Sequence, residues 1–125
     1  MNLKTLDDWF SKYIRLRDSD DNGYGECISC GKRPIYWKDA DAGHYVNRRK
    51  YAVRYNEKNV NFQCRACNRF QEGNAAGYTI GLTNKHGPQV INELYVASKG
   101  STKWTPFDIS VMVKFYKAEV KKMMK

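Results

Sequence analysis

Two pairs of cysteines constrain this chain more than any other feature of its sequence. Each pair has the form Cys-x-x-Cys, and thirty-three residues separate the two pairs. Such pairs can converge on one tetrahedral zinc ion, each closing a tight turn around it. Gly31 directly follows the first pair, where this turn often needs a residue that tolerates a positive φ. The pattern therefore predicts one zinc site with four ligands: Cys27, Cys30, Cys64 and Cys67.

The alternatives for these cysteines are disulfide bonds and a redox-active pair. Disulfides are typical of secreted proteins, but the opening residues MNLKTLDDWF lack a basic stretch followed by an apolar one. The thioredoxin-like βαβ pattern that normally surrounds a redox pair is also missing. Because four protein ligands close the coordination sphere, the predicted zinc is structural and not catalytic. The apolar runs are short, so we expect a cytoplasmic protein without a membrane-spanning segment.

The positive charge of the chain is concentrated in two segments. The 125 residues, enough for one domain but not for a large multi-domain enzyme, carry a formal net charge of +9. Residues 44–70 contain seven positive and one negative side chains, and residues 99–125 contain seven and two. Localised positive charge suits a polyanion, because each neutralised phosphate releases counterions. The alternative is a basic surface that serves solubility alone.

Apolar residues at helical spacing predict a helix near each end of the chain. The first runs to about Arg17, and Thr5 with Asp8 resembles a capping box at its start. The last begins at Thr105, which precedes a proline at the first helical position and an acid in the first turn. Its apolar stripe consists of Ile109, Met112, Val113, Tyr116, Val120 and Met123.

Between these helices the sequence predicts short strands and two further helices. Residues 34–37 and 43–46 are predicted to form a hairpin with residues 38–42 at its bend. A helix is predicted to begin near the second cysteine pair and to weaken at Gly73. Another is predicted from Pro88, because a proline after a glycine suits a helix start.

Several short strings of the chain resemble known families. A histidine at the end of a predicted short strand (His44), an asparagine five residues before Cys64 (Asn59) and a polar residue directly after Cys67 (Asn68) resemble the HNH, or ββα-metal, nucleases. A longer ordered set resembles the NinG (Rap) family of phage lambda recombination proteins: IRLRD at 14–18, CISCG at 27–31, GHY at 43–45, RYNEKNV at 54–60, QCRACN at 63–68, EGN at 72–74 and GPQVINEL at 87–94.

The resemblance implies an α+β fold with a small zinc-stapled ββα-metal (HNH-like) core and flanking N- and C-terminal helices. One domain is expected over residues 1–125, with a helix and loop at 1–26, the zinc-bound core at 27–78 and the C-terminal helices at 79–125. The implied activity is that of a metal-dependent, structure-selective DNA endonuclease. Its expected substrates are branched recombination intermediates such as Holliday junctions and D-loops.

Three residues are the expected catalytic residues. His44 is the expected general base, because its ordinary pKa lets it take a proton from water near neutral pH. The resemblance gives Asn59 the role of holding the histidine-bearing loop, and Asn68 that of binding a catalytic Mg²⁺ or Mn²⁺. From the residues alone, Asn59 could instead cap a helix or bond a turn, and Asn68 could satisfy backbone groups beside the zinc. His86 is expected to be exposed or structural, in a loop before a helix.

Position 43 departs from the usual HNH pattern. Many members carry an acidic metal ligand directly before the catalytic histidine, but this chain has Gly43. Asp41 is the candidate replacement as a ligand of the catalytic metal. On a strand, however, residues three apart face opposite sides, so a bend at Ala42 or Gly43 would be required. Without that bend, Asn68, His44, phosphate oxygens and water would have to hold the metal.

The expected DNA contacts are cations that position the backbone without reading the base sequence: Arg48, Arg49, Lys50, Arg65 and Arg69. Resolving a four-way junction requires matched cuts in two strands, which favours a homodimer through the first or the last helix. The alternative functions are a non-catalytic zinc-binding nucleic-acid-binding module and a protein-interaction domain that uses the helical stripes.

Overall fold

A computed structural model describes residues 3–124 of the chain as a mixture of helices and short strands. The helices are α1 (Lys4–Arg17), α2 (Tyr51–Arg54), α3 (Ala75–His86), α4 (Gln89–Ser98) and α5 (Pro106–Met123). The strands are β1 (Tyr24–Gly25), β2 (Ile35–Tyr36), β3 (Ala40–His44) and β4 (Val60–Cys64). A 3₁₀ turn at Trp37–Asp39 precedes β3, and a π-helical turn at Ala66–Phe70 follows β4. The α+β class is therefore confirmed.

The two terminal helices pack against each other. Phe10 of α1 is buried, and its ring meets that of Tyr116 of α5 edge-on with the centroids 5.0 Å apart. Val120 is also buried on α5. The apolar stripes predicted for both helices thus cover one another within a single chain. Met123, at the end of the predicted stripe, is 38% exposed instead.

The two predicted helix caps have different outcomes. At α5 the capping box is present, since Thr105 Oγ1 accepts the Asp108 N–H and the Asp108 carboxylate accepts the Thr105 N–H. At α1 the prediction is wrong, because the helix already begins at Lys4 and places Thr5 inside its first turn. Asp8 receives a hydrogen bond from Lys4 Nζ instead of capping the helix.

The central strands pair differently from the predicted hairpin. β2 lies antiparallel to β1, and β3 lies antiparallel to β4 with His44 opposite Val60. The predicted pairing of residues 34–37 with 43–46 is therefore wrong. The assumed bend contains Ala40 and Ala42, which pack against buried apolar clusters on the α1 side of the sheet, so this stretch is extended.

β4 is buried at all five of its positions. Its apolar residues Val60 and Phe62 belong to buried apolar clusters, while the polar Asn61 donates a hydrogen bond to Tyr78 Oη of α3. The sequence pattern of alternating apolar and polar residues in VNFQC is the signal that indicates this strand.

The helix predicted after the second cysteine pair is divided in two. The π-helical turn ends before Gly73, which has a φ of +81°, and α3 begins after Asn74, whose side chain accepts the Gly77 N–H. A side chain at Gly77 or Gly81 would collide with backbone carbonyls of residues 28–29, so these glycines let α3 lie against the first cysteine turn. His86 ends α3 and is not in a loop as predicted.

Within residues 3–124, no helix combines the length and the apolar composition needed to cross a membrane.

Candidate active site and metal centre

The four cysteines converge at one point beside β4. Their sulfur atoms all lie within 4.8 Å of one another, and Cys30 Sγ lies 3.8 Å from Cys64 Sγ. Zn–S bonds of about 2.3 Å in tetrahedral geometry would separate two sulfurs by about 3.8 Å. None of the four forms a disulfide. The cluster could therefore bind a metal such as zinc.

Both cysteine pairs form the tight turns expected of such a cluster. The Cys30 N–H points at Cys27 Sγ over 3.5 Å, and the Cys67 N–H points at Cys64 Sγ over 3.4 Å. Gly31 has a φ of +76°, which confirms the reason proposed for a glycine there.

His44 is the last residue of β3, and one of its ring nitrogens is bound to the backbone. Nε2 lies 2.9 Å from the carbonyl oxygen of Arg54, at the end of α2. Because a carbonyl oxygen only accepts hydrogen bonds, Nε2 carries the proton of the neutral ring and Nδ1 keeps a free lone pair. Among residues 3–124, none forms a hydrogen bond to Nδ1.

Asn59 joins the two segments that hold this histidine. Its Nδ2 donates to the carbonyl oxygens of Val46 and Val53, each over 3.1 Å, and its Oδ1 accepts the Val46 N–H. The side chain is fully buried. Val46 follows His44 by two residues and Val53 directly precedes Arg54, so Asn59 fixes the distance between the ring and its carbonyl partner.

Burial lowers the pKa of His44 below its ordinary value. The charges of Arg48 and Arg54 act in the same direction, whereas the Arg54 carbonyl and Asp7 oppose them and raise the pKa. The net direction is downward, so the ring is neutral at pH 7 and its Nδ1 can accept a proton.

Asp7 of α1 also belongs to this region, although no sequence motif marks it. Its carboxylate accepts hydrogen bonds from Arg48, Arg54 and Tyr55. Burial would raise the pKa of Asp7, but these hydrogen bonds and the two arginine charges outweigh burial and lower it. The ionised carboxylate thereby anchors Arg54, whose carbonyl holds His44.

Asn68 and Asp41 lie together, as the metal-site prediction requires. Asn68 Nδ2 donates to Asp41 Oδ2 over 2.9 Å, and Arg69 donates to both Asp41 oxygens over 2.8 and 2.9 Å. Burial would raise the pKa of Asp41, but the hydrogen bonds from Arg69 and Asn68 and the charges of Arg69 and Arg65 lower it. Both Asp41 oxygens already have partners in this arrangement.

The bend that Asp41 would need in order to join His44 is absent. β3 pairs regularly with β4 from Ala40 to His44, so Asp41 and His44 project from opposite faces of the strand. Both nevertheless line one open cleft of about 630 Å³, together with Asn68. The cleft therefore extends past the edge of β3, so that side chains from both faces of this strand line it.

The predicted DNA-binding cations are distributed unevenly around this cleft. Arg48 and Arg69 line it. Arg65 lies next to it, where it donates to the Lys38 carbonyl and approaches Asp41 Oδ1 to 3.9 Å. Arg49 and Lys50 are exposed on the loop between β3 and α2, outside the cleft lining.

Comparison with known proteins places this chain in a family. A family model described as "Bacteriophage Lambda NinG protein" matches residues 2–125. "Protein ninG" of Escherichia phage lambda is 29% identical over 121 residues, covering 95% of this chain and 55% of the relative. "Protein ninG" of Salmonella phage P22 is 29% identical over 121 residues, covering 95% of this chain and 56% of the relative.

The chain spans about half the length of the curated relatives it matches. No solved structure matches it.

Proposed function

This chain belongs to the NinG family, and we propose that it is a metal-dependent DNA endonuclease in which His44 is the general base. One observation supports this proposal above the others: the free Nδ1 lone pair belongs to a histidine that lines the same open cleft as Asn68. A base that activates water, together with an amide oxygen that could hold a divalent cation, suits hydrolysis of a phosphodiester.

In the proposed reaction His44 Nδ1 takes a proton from a water molecule in the cleft. The oxygen of that water forms a bond to the phosphorus, and the bond from phosphorus to the 3′ oxygen breaks. The departing 3′ oxygen takes a proton from water and the imidazolium returns its proton to solvent, so the products are a 5′-phosphate and a 3′-hydroxyl end. The Arg54 carbonyl oxygen accepts the hydrogen bond from Nε2–H throughout, so it orients the ring and stabilises the imidazolium that forms.

Asn68 is the residue that we expect to hold a catalytic Mg²⁺ or Mn²⁺. Its amide oxygen belongs to the hard donors that these ions prefer. A divalent cation bound there would stabilise the negative charge that develops on the phosphate and on the leaving oxygen. Asp41 is the second candidate ligand, and it would have to exchange its bonds to Arg69 for bonds to the cation.

The cysteine cluster holds a structural zinc ion in this proposal. Cys64 ends β4 and Cys27 precedes the turn that contacts α3, so one ion would join the central strands to the elements around them. The zinc would hold the fold and take no part in the reaction, because its coordination sphere would be closed by four thiolates.

Arg48 and Arg69 would bind the phosphates next to the scissile one, since both line the cleft. Arg65, Arg49 and Lys50 would extend this contact along the DNA backbone. Branched recombination intermediates are the substrates that the resemblance to phage recombination proteins implies. Cleavage of a junction in two strands favours a homodimer.

A labelled Holliday junction and a linear duplex of the same sequence would test the proposed activity. Wild type with Mg²⁺ or Mn²⁺ should cut the junction faster than the duplex and leave 5′-phosphate ends. A wild-type protein that binds the junction but never cuts it would reject the enzyme and leave the alternative, a zinc-stabilised nucleic-acid-binding module. The arginine bonds that occupy Asp41 favour that alternative.

Sedimentation of the free protein at several concentrations would test the homodimer. The outer face of α5 exposes Phe107, Val111 and Phe115 at 76%, 50% and 50%, and it offers an apolar surface for a second copy. A monomer at every concentration would reject a dimer that forms before DNA binds.

A further inference from the structure

A buried tyrosine of α3 reaches the backbone on both sides of the candidate general base. Tyr78 is 1% exposed, and its Oη donates a hydrogen bond to the Gly43 carbonyl oxygen over 2.6 Å. The same hydroxyl lies 3.3 Å from the Asn59 carbonyl oxygen, which accepts the Tyr45 N–H. Gly43 and Tyr45 directly precede and follow His44 in the chain. One hydroxyl group therefore meets the backbone pairing on both sides of the histidine.

The Tyr78 hydroxyl has a defined orientation. Asn61 Nδ2 donates to Oη over 3.2 Å, so the oxygen accepts one hydrogen bond while its proton points to Gly43. Burial raises the pKa of Tyr78 above its ordinary value. The hydroxyl therefore keeps its proton throughout the pH range in which a histidine titrates, and it remains a donor whether His44 is neutral or charged.

The next residue of α3 makes a second contact of the same kind. Tyr45 Oη lies 2.7 Å from Thr79 Oγ1, and the rings of Tyr45 and Tyr78 pack with their centroids 5.2 Å apart. Tyr78 and Thr79 thus bind the residues directly before and after His44. Because both contacts come from adjacent positions of one helix, α3 holds the end of β3 that carries the histidine.

α3 is itself fixed against the first cysteine turn. A Cβ at Gly77 or Gly81 would collide with the backbone carbonyls of residues 28–29, which lie between the two cysteines of the first pair, so the helix lies directly on this turn. A helix that is held in this way is a rigid support, and a group carried on it is positioned more precisely than one on a loop. The position of the Tyr78 hydroxyl is therefore set by the fold and not by a mobile segment.

We propose that Tyr78 is a positioning residue for the general base. Its hydroxyl group fixes the Gly43 carbonyl, and the backbone held there orients the His44 ring toward its own carbonyl partner. Tyr45 serves the same purpose from the other side of the histidine. This inference deepens the proposed nuclease function and rests on it for its catalytic meaning. Tyr78 does not line the cleft, so it acts through the backbone and not by binding DNA.

Tyr78→Phe removes the hydroxyl group and keeps the ring, which packs in a buried apolar cluster of α3 and α4. Tyr116→Phe is the matched control, because Tyr116 is also buried and loses one hydrogen bond, to Glu57, in the contact between α1 and α5. Single-turnover cleavage of the junction should slow by about ten- to a hundredfold in Tyr78→Phe, the cost of a misplaced catalytic group. The junction affinity of both variants, and the cleavage rate of Tyr116→Phe, should stay within about twofold of wild type.

The ring nitrogens of His44 provide a measurement that a merely structural role would not change. In ¹⁵N NMR spectra of the free protein, at a pH where the ring is neutral, the protonated and the unprotonated nitrogen give separate signals. Wild type and Tyr116→Phe should show a single tautomer with the proton on Nε2. In Tyr78→Phe the two signals should move toward each other, because the ring spends part of its time away from the Arg54 carbonyl. The spectrum of His44→Ala identifies the signals.

Tyr45→Phe covers the case in which Tyr78→Phe does not fold. It removes the hydroxyl that contacts Thr79 and leaves Tyr78 in place, so the His44 signals should move in the same direction by a smaller amount. Wild-type signals in every variant that folds would overturn the inference, as would an equal loss of cleavage rate in Tyr78→Phe and Tyr116→Phe. If the signals move but wild type never cuts DNA, the proposed function alone fails; if wild type cuts DNA but the signals stay in place, the inference alone fails.

Discussion

His44 Nε2 is hydrogen-bonded to the carbonyl oxygen of Arg54 over 2.9 Å. This single contact selects the tautomer of the ring, because the carbonyl oxygen can only accept a hydrogen bond. The lone pair is thereby left on Nδ1, on a residue that lines the open cleft. The contact depends on Asn59 and Asp7, which hold the backbone and the side chain of the segment that supplies it.

The pH dependence of cleavage should show the lowered pKa of His44. The base is active when neutral, so kcat/KM should rise with pH and level off once the ring is deprotonated. Because burial lowers the pKa, the midpoint should lie below the ordinary value of 6.5. The measurement is kcat/KM for junction cleavage from pH 5 to 8. A midpoint above 6.5 would contradict the assignment.

Replacing the general base should remove activity and keep DNA binding. His44→Ala should lower the cleavage rate by about 10²- to 10⁴-fold, the usual contribution of a positioned base. His86→Ala is the matched control, because His86 ends α3 and lies outside the cleft lining. Single-turnover cleavage and fluorescence anisotropy would measure rate and affinity. Equal rates for the two variants would reject His44 as the base.

Asn59→Ala should affect both stability and catalysis. It leaves the Val46 and Val53 carbonyls and the Val46 N–H without their buried partner, so the free energy of unfolding should fall by at least about 1–3 kcal/mol. At a temperature where the variant is folded, the midpoint of its kcat/KM profile against pH should also move. The reason is that the Arg54 carbonyl, which binds the His44 ring, is no longer fixed in position. Urea unfolding and the pH profile measure the two effects.

Asn56→Ala is the control for that variant. Among the residues that the structure describes, the Asn56 side chain accepts only the exposed Lys58 N–H, so its removal should change the unfolding free energy by no more than about 0.5 kcal/mol. If Asn56→Ala lowered the unfolding free energy as much as Asn59→Ala, the stabilisation would not be specific to the buried hydrogen bonds of Asn59.

Removing the structural metal should unfold the centre of the protein. Purified chain should contain one zinc per molecule, and prolonged chelation should abolish the cooperative thermal transition, because binding free energy of such a site is also folding free energy. Zn²⁺ should restore the transition and Mg²⁺ should not. Cys64→Ser should behave like the chelated protein. A native melting curve after complete removal of zinc would reject the structural role.

Exposed cations of the β3–α2 loop should contribute to DNA affinity without sequence preference. Arg49→Ala and Lys50→Ala should each weaken binding and reduce the slope of log affinity against log salt by about 0.9. Arg33→Ala is the control, because this exposed cation lies 3.5 Å from Glu26 and outside the cleft lining. Salt titrations by fluorescence anisotropy give the slopes. An equal change in all three variants would indicate an effect of net charge alone.

The terminal helices and the cysteine cluster follow from local sequence patterns. Thr105 and Asp108 form their capping box within one turn, so no distant residue is needed to predict it. Gly31 takes its positive φ for the same local reason. Because two Cys-x-x-Cys pairs can bind one shared ion, the pattern by itself predicts that these two distant parts of the chain meet. The catalytic roles of His44, Asn59 and Asn68 stay predictions that the experiments above test.

Tertiary structure decided which strand pairs with β3 and what surrounds the residues on it. The pairing of β3 with β4 depends on the packing of both strands against α1, which local patterns in residues 34–46 do not contain. The partners of His44 and Asn68 come from positions ten and twenty-seven residues away. Gln63 Nε2 donates to the Gly73 carbonyl oxygen and to Ser29 Oγ only in the folded chain, because hydrogen-bond satisfaction is a property of the folded surroundings and not of the residue type.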